Sequence, residues 1–452
     1  MITMNPYRMR VSAVLAPLTV MATLVTVACK PFSEGDFKPH VYLTWRSEDT
    51  ARTMQVHYHT SGPYEASVVH WDTEPRGGNP ALYRRKSAGF AVRWAGTERA
   101  VHHIELTGLE PGTVYYFITG DSKSGFGTEK KFKTLPGTSN RLRVVNGGDM
   151  SVGKDFEALA RLAGQTNPDL ALIGGDIAYA NGDPANTTLW DRWLEIWGKT
   201  MVTSEGLLIP MVLAIGNHET NSWPARERKK RAPFYFSLFH QDPDQRTFFV
   251  RRIADDLSLF VLDSAHIESP FGKQREWLKQ KLEVHRHVRT TMALYHAGLF
   301  PSMRSEWNPH HLLLRMSWLK LFDHFQLSLA LEHHDHTLKR TRYLRHGSEV
   351  APHEGTLYLG DGAWGKGGRT ADTTRWYLAH AASEIHFWLL DIRADRIEAS
   401  AIGPERRLLD HHILERRPKG WTPRSGPLKD DPQLLIQEIR AQPEFAPYLN
   451  MH

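Results

Sequence analysis

Several apolar runs of strand length in this chain stop on a side chain able to coordinate a cation or carry a proton. Asp149 closes "RLRVVNGGD", Asp176 closes "LALIGGD", and Asn217 and His218 end "IPMVLAIGNH". His296 closes "TTMALYH", and His334 and His336 follow "QLSLALEH". A single Asp or Asn at a strand end is usually a turn former or a helix cap, and a single histidine there is usually a hydrogen-bonded core residue. Their succession points elsewhere. Open α/β sheets bind ligands beyond the carboxyl ends of their strands, and Asp, Asp, Asn, His and His-x-His together make a metal-ligand set. Oxygen donors suit a hard ion, while imidazole and amide suit a borderline divalent one. The His334-x-His336 spacing puts both rings on one side of an extended segment, so one strand end can touch two ions. Tyr179, in "GGDIAY", adds a phenol next to this set.

The elements that must hold these residues fall into two textures. From about Lys38 to Leu135 short alternating runs such as "HVYLTWRS", "MQVHYHT" and "VYYFITGD" are broken by turns, the pattern of an antiparallel β-sandwich. In "LTGLEPGTVYYFITGD" the turn residues precede Tyr115 and Tyr116, either of which could place a hydroxyl at a sandwich corner. This piece resembles the last part of a fibronectin type III domain. "LPGTSN" reads as a linker. From Arg141 onward continuous apolar runs alternate with helical stretches, "KDFEALARLAGQ" and "QREWLKQKLEVH" among them. Runs of that kind suit strands covered on both faces, hence an α/β layered domain. "GTLYLGDGAWG" and "HFWLLDIRADRIEASAIG" read as a closing antiparallel set. The Pro-rich tail, 418–452, holds one short helical pattern near "PQLLIQEIRAQ".

At 452 residues with 41% hydrophobic and 23% charged, the chain has the composition of a folded protein of two or three domains, which excludes a disordered tail or a collagen-like fibre. The net charge of +6 is scattered except at "RERKKR" (226–231), so a solvated loop is the reading there and no nucleic-acid partner is expected. The 25 histidines exceed any one site's need, so position must decide which of them matter. Residues 1–29 carry Arg8 and Arg10 and then an uncharged apolar run, as in an export signal. Its last residue, Cys29, is the only cysteine, which rules out an intramolecular disulfide. "VTVAC" resembles a bacterial lipoprotein processing box. The expectation is an exported protein, periplasmic or cell-surface with a lipid anchor at Cys29, otherwise secreted.

Taken together, "GGDMS", "GGDIAY", "GNHE", the lone His296 and "HDH" resemble the calcineurin-like metallophosphoesterases over about 141–417. Ser151 stands where many of that superfamily carry a histidine, and Tyr179 supplies a phenol instead. That exchange resembles the purple acid phosphatases, in which a fibronectin-like domain (here 38–135) commonly precedes the catalytic one. The resemblance implies a layered β-sandwich with flanking helices. It implies Fe(III) held by Asp149, Tyr179 and His336, a divalent Fe, Zn or Mn held by Asn217, His296 and His334, and Asp176 bridging the two. It departs from the family at "EHHDH", where His333 replaces a glycine, and at "YHAGLF", which lacks a proline after the ligand.

The implied reaction is hydrolysis of a small phosphate monoester at acidic to neutral pH by in-line attack of a metal-bound hydroxide. His218 would protonate the leaving group, and His310 and His311, in "WNPHHLLL", would face the substrate. Glu219, Glu332 and Asp335 are candidates to orient the ligand rings. A phosphodiesterase or nucleotide hydrolase could use the same core, with a groove formed by 181–190 and 223–233. A non-catalytic cell-surface binding protein is the third reading. It would require a non-coordinating residue at one of the ligand positions, and none is present.

Overall fold

The computed structural model describes residues 39–221, 227–421 and 428. The leader with Cys29, the helical pattern in the tail and part of "RERKKR" lie outside the described residues. Among the described residues no helix is long and apolar enough to cross a membrane.

Alternation builds the first part. Val41–Thr44, Thr53–Thr60, Ala100–Thr107 and Phe90–Arg93 form one antiparallel sheet in that order. Arg85–Ala88, Val68–Asp72, Val114–Asp121 and Gly125–Phe126 form a second, and Lys130–Lys133 pairs with Val114–Asp121. Leu43, Met54, Val56, Ile104 and Phe117 fill the core. Of the two candidate tyrosines, Tyr115 makes the corner: its buried hydroxyl accepts the Glu110 amide at 2.8 Å. Tyr42 of this part donates to the Leu238 carbonyl of the following one at 2.9 Å.

The second part is a β-sandwich between helices. Met211–Leu213, Leu170–Ile173 and Arg141–Gly147 lie parallel, and Phe387–Arg393, Arg396–Ile402 and Leu408–Glu415 extend that sheet antiparallel. In the seven-stranded sheet Leu257–Val261, Thr290–Ala297, Leu329–His333 and Leu357–Gly360 are parallel neighbours. Strand periodicity divides each run between two cores. Val144, Leu172 and Val212 face Leu259, Leu294 and Leu331 between the sheets. Val145, Ile173 and Leu213 face outward onto Phe156, Leu159 and Trp193 of the helices Lys154–Gln165 and Thr187–Thr200. Phe260, Tyr295 and Tyr358 do the same against Leu278 and Trp318 on the other side. Both faces of each central strand are therefore covered, which is why its sequence reads as an unbroken apolar run.

One pairing differs from the sequence reading. "GTLYLG" does not close against "HFWLLDIR"; it joins the other sheet, parallel to Leu329–His333. Its residues are apolar on both faces, and such a run carries no information about its partner.

Candidate metal centre

The parallel strands deliver their carboxyl ends to one place. Beyond each end the chain turns sharply, and Asp149, Asp176, Tyr179, His334 and His336 all take φ between 52° and 86°. Non-glycine residues in that region cost roughly 1–3 kcal/mol each and gather at functional sites, where surrounding structure holds them. Here the holding is explicit. The amides of Asp149, Met150 and Ser151 donate to the carbonyls of Gly175, Asp176 and Ile177 at 2.8 to 3.0 Å, zipping the first two turns together.

Glu219 ties the third turn to the second. Its buried carboxylate accepts the amides of Gly216 at 2.8 Å, Asp176 at 2.7 Å and Ile177 at 2.8 Å. Burial first, then the charge of Asp176, pushes it up to about 7. Glu332 and Asp335 also hold backbone rather than ligand rings. Glu332 accepts the Leu299 amide at 2.6 Å and the Lys339 ammonium at 2.6 Å. Asp335 accepts the amides of Ser302 and Met303 at 2.8 and 2.6 Å, and the Arg304 guanidinium at 2.6 Å.

The donor atoms converge in two groups that share Asp176: Asp176, His296 and His334, and Asp149, Asp176 and His336. In the first, His296 Nε2 lies 3.2 Å from Asp176 Oδ2, 3.2 Å from Asn217 Oδ1 and 3.0 Å from His334 Nδ1. In the second, His336 Nε2 lies 2.9 Å from Asp149 Oδ1 and 3.2 Å from the Tyr179 hydroxyl, which is 3.3 Å from Asp149 Oδ1.

This donor set fits cations. His296 donates through Nδ1 to the Gly174 carbonyl at 2.8 Å, so its Nε2 presents a lone pair to the surrounding acceptors. Electron pairs aimed at one another at this spacing need a positive charge between them. Ligands about 2.1 Å from an octahedral ion sit about 3 Å apart. The protonation energetics say the same. Burial would lower the His296 imidazole, but Asp176 and Asp149 outweigh it and raise it to about 9. Burial would raise the Asp176 carboxyl, and His296 with the His218 amide brings it far below the usual range. Burial, then Asp149, Asp176 and Glu219, push the Tyr179 phenol well above its ordinary value. Only a cation among those oxygens makes a phenolate favourable there.

The histidines beside the ligands differ in position. His218 stands at the rim, one-third exposed, its Nε2 3.8 Å from Asp176 Oδ2. Its amide donates to Asp176 Oδ1 at 2.7 Å, its Nδ1 lies 2.5 Å from Asn181 Oδ1, and its ring centroid is 4.1 Å from that of Tyr179. His310 bonds the Ser264 carbonyl at 2.7 Å through Nε2. His311 is buried, with Nδ1 2.7 Å from the Gly298 carbonyl. His333 points into the core: its Nδ1 lies 2.9 Å from the Tyr295 carbonyl, and a Cβ built on Gly174 would meet its ring. It fills the gap that Gly148 and Gly174 leave.

The place of two features at the site was missed in the sequence. His266 lies buried with its ring 5.3 Å from that of His296 and 5.9 Å from that of His310. The loop 362–369, "GAWGKGGR", runs over the site, with the Lys366 amide donating to the Asp149 carbonyl at 2.8 Å. Its glycine content alone was a clue to a close backbone approach.

Residues 39–134 match the family model described as purple acid phosphatase, N-terminal domain, and residues 142–354 match that of the calcineurin-like phosphoesterases. Together the two matches give this chain the domain pair of the purple acid phosphatase-like metallophosphoesterases. Purple acid phosphatase 15 of Arabidopsis thaliana is 26% identical over 242 residues, 48% of this chain and 44% of that protein. Purple acid phosphatase 23 of the same plant is 24% identical over 273 residues, 54% and 58% of the two chains. An uncharacterized protein of Mycobacterium tuberculosis is 26% identical over 329 residues, 62% and 60%. The chain thus spans about half the length of the curated relatives it matches. In fold it resembles the purple acid phosphatase from yellow lupin seeds, with TM-score 0.70 and 16% identity over 83% of this chain and 74% of that one. It also resembles PhoD, with TM-score 0.63 and 13% identity over 83% and 88%.

Proposed function

We propose that this chain is a binuclear metal-dependent phosphatase acting on small phosphate monoesters at acidic to neutral pH. The observation that carries the reading is the pair of donor groups joined at Asp176, one completed by a tyrosine and the other by an asparagine. Asp149, Tyr179 and His336 would hold Fe(III), whose hardness suits a phenolate, and Asn217, His296 and His334 a divalent Fe, Zn or Mn. Such a pair, when bound, acidifies water and neutralises the phosphoryl oxygens.

The protein's own share is positioning and proton transfer. Glu219, Asp335 and Glu332 fix the backbone of the ligand turns, so the donors meet with little reorganisation. His218 is the solvent-facing imidazole beside Asp176, and Asn181 Oδ1 orients its ring, leaving Nε2 to serve the departing alkoxide. His310 stands farther back, beside His266, and in this reading shapes the pocket through its hold on the Ser264 carbonyl. Export, and acylation of Cys29, form the cellular setting that the same reading keeps.

The test is a pair of substrates on the metal-loaded protein. The wild type should turn over p-nitrophenyl phosphate far faster than bis-p-nitrophenyl phosphate. His218→Ala should keep both metals and lose roughly 10²- to 10⁴-fold in rate, most for esters with poor leaving groups. A preference for the diester would reassign the chain to the phosphodiesterase reading, and unchanged turnover in His218→Ala would remove the acid role.

A further inference from the structure

The glycine-rich loop 362–369 sets a cation against the aromatic ring of the metal centre. Its backbone is pinned on both sides of Lys366. A Cβ on Gly365, at φ 145°, would meet the Met150 carbonyl, and one on Gly367 would meet the Ile385 side chain, so glycine lets the chain lie flush at both positions. Between them the Lys366 amide donates to the Asp149 carbonyl at 2.8 Å. From this anchored position the Lys366 ammonium sits 4.6 Å from the centroid of the Tyr179 ring, inside the range of a cation–π contact. The side chain is half-buried, and among the described residues no carboxylate lies at ion-pair distance from it, so no neighbour neutralises its charge.

The groups at the other end of the phenol do something different. Asp149 Oδ1 and His336 Nε2 lie 3.3 and 3.2 Å from the Tyr179 hydroxyl, so they meet it at the atom that would bind a cation. Lys366 meets it at the ring, whose π electrons a phenolate shares with its metal. An ammonium there stabilises those electrons and makes them harder to give up. We infer that Lys366 tunes the metal centre through the Tyr179 ring, weakening the phenolate as a donor and keeping a ferric ion in that half of the site electron-poor. The inference rests on the reading of Tyr179 as a ferric ligand and names the residue that sets how strongly it donates. Groups outside a ligand set tune metals in this way through the ligands they touch. Lys366 acts through Tyr179 and needs no contact with substrate.

The charge-transfer band of the iron-loaded protein reads this without turnover. Excitation moves electron density from the ring to the iron, and a cation beside the ring opposes that movement. Lys366→Met keeps most of the side chain's length and removes its charge. Its band should move to longer wavelength by roughly 10 to 40 nm, the scale set by one unit charge 4.6 Å from the ring in a partly screened site. Lys366→Arg keeps the charge and should move the band less than half as far. The iron(III)/iron(II) midpoint potential should fall in Lys366→Met and hold in Lys366→Arg. Lys366→Gln serves if Lys366→Met holds no iron. A loop that only shapes the ligand turns would shift the band equally in Lys366→Met and Lys366→Arg. That result, or an unmoved band in the neutral variant, overturns the inference. An iron-loaded wild type without any such band would instead overturn the ferric-phenolate reading.

Discussion

Among the described residues, buried histidines gather at the strand ends and in the N-terminal sandwich, and the two groups differ in what faces them. At the strand ends, His296 and His336 meet Asp176 and Asp149. In the N-terminal sandwich, His57 and His103 are cross-strand partners whose Nδ1 atoms lie 2.8 Å apart, with no carboxylate beside them. His57 is completed by Thr44 Oγ1 at 2.7 Å and His103 by the Ser237 carbonyl at 3.1 Å. His102 lies 2.9 Å from both Thr60 Oγ1 and Ser67 Oγ. The consequence is opposite protonation. Burial first, then the charge of His240, sends His103 down to about 3, and burial, outweighing Asp121, sends His102 to about 4, whereas Asp176 carries His296 up to about 9. Among the described residues the sandwich offers no group of metal-binding donors, although it is rich in imidazoles. What separates the strand-end cluster from the packed one is the neighbouring anion, because it makes a positive charge welcome there.

The comparison breaks most readily at the site. His296→Ala should remove the divalent ion and lower activity by more than the roughly 10- to 100-fold that a supporting residue costs, while the melting curve of the metal-free protein moves little. Metal analysis beside phosphatase assays measures both.

The sandwich cluster should respond to acid instead. A histidine whose folded pKa lies below its unfolded value binds its proton only on unfolding. Between about pH 6.5 and pH 3 the unfolded chain therefore takes up more protons, and stability falls as pH falls. His103 should contribute up to about 1.4 kcal/mol per pH unit over that range, and His57, lowered by burial as well, acts in the same direction. The groups around the pair, His240 and Arg46, add positive charge and work in the same direction. Urea midpoints at pH 7 and pH 5 measure it, and His103→Gln should flatten the slope. The proposed chemistry thus favours acid, whereas the sandwich does not.

The smallest effect sharpens the same contrast. Thr44→Val should leave the His57 Nε2 without a partner and cost about 1–3 kcal/mol, with metal content and turnover unchanged.

The convergence of the candidate donors was legible in the sequence because they follow the ends of doubly covered strands, and such strands announce themselves as continuous apolar runs. The sandwich was legible through alternation, and its turn pointed to a corner tyrosine without choosing between Tyr115 and Tyr116. The partner of Leu357–Gly360 was not, since a run apolar on both faces fits either sheet. Nor was the His57–His103 pair, because two histidines 46 positions apart meet only through strand register. The part played by Glu219 was hidden for another reason. In "GNHE" it reads as a ring-orienting carboxylate, and only the folded turns bring three amides to it. His333 illustrates the converse: its departure from the family pattern is absorbed inward, in space left by two glycines, and does not reach the site.

In the proposed site, seven side chains from five strand ends would grip two unlike ions, one of them by a phenolate. Visible absorption with metal analysis on the purified protein tests it most directly. Two ions per chain including iron, with a tyrosinate-to-iron band that disappears in Tyr179→Phe, is the predicted result. A protein that retains full activity with a single ion, or whose band survives Tyr179→Phe, would contradict it.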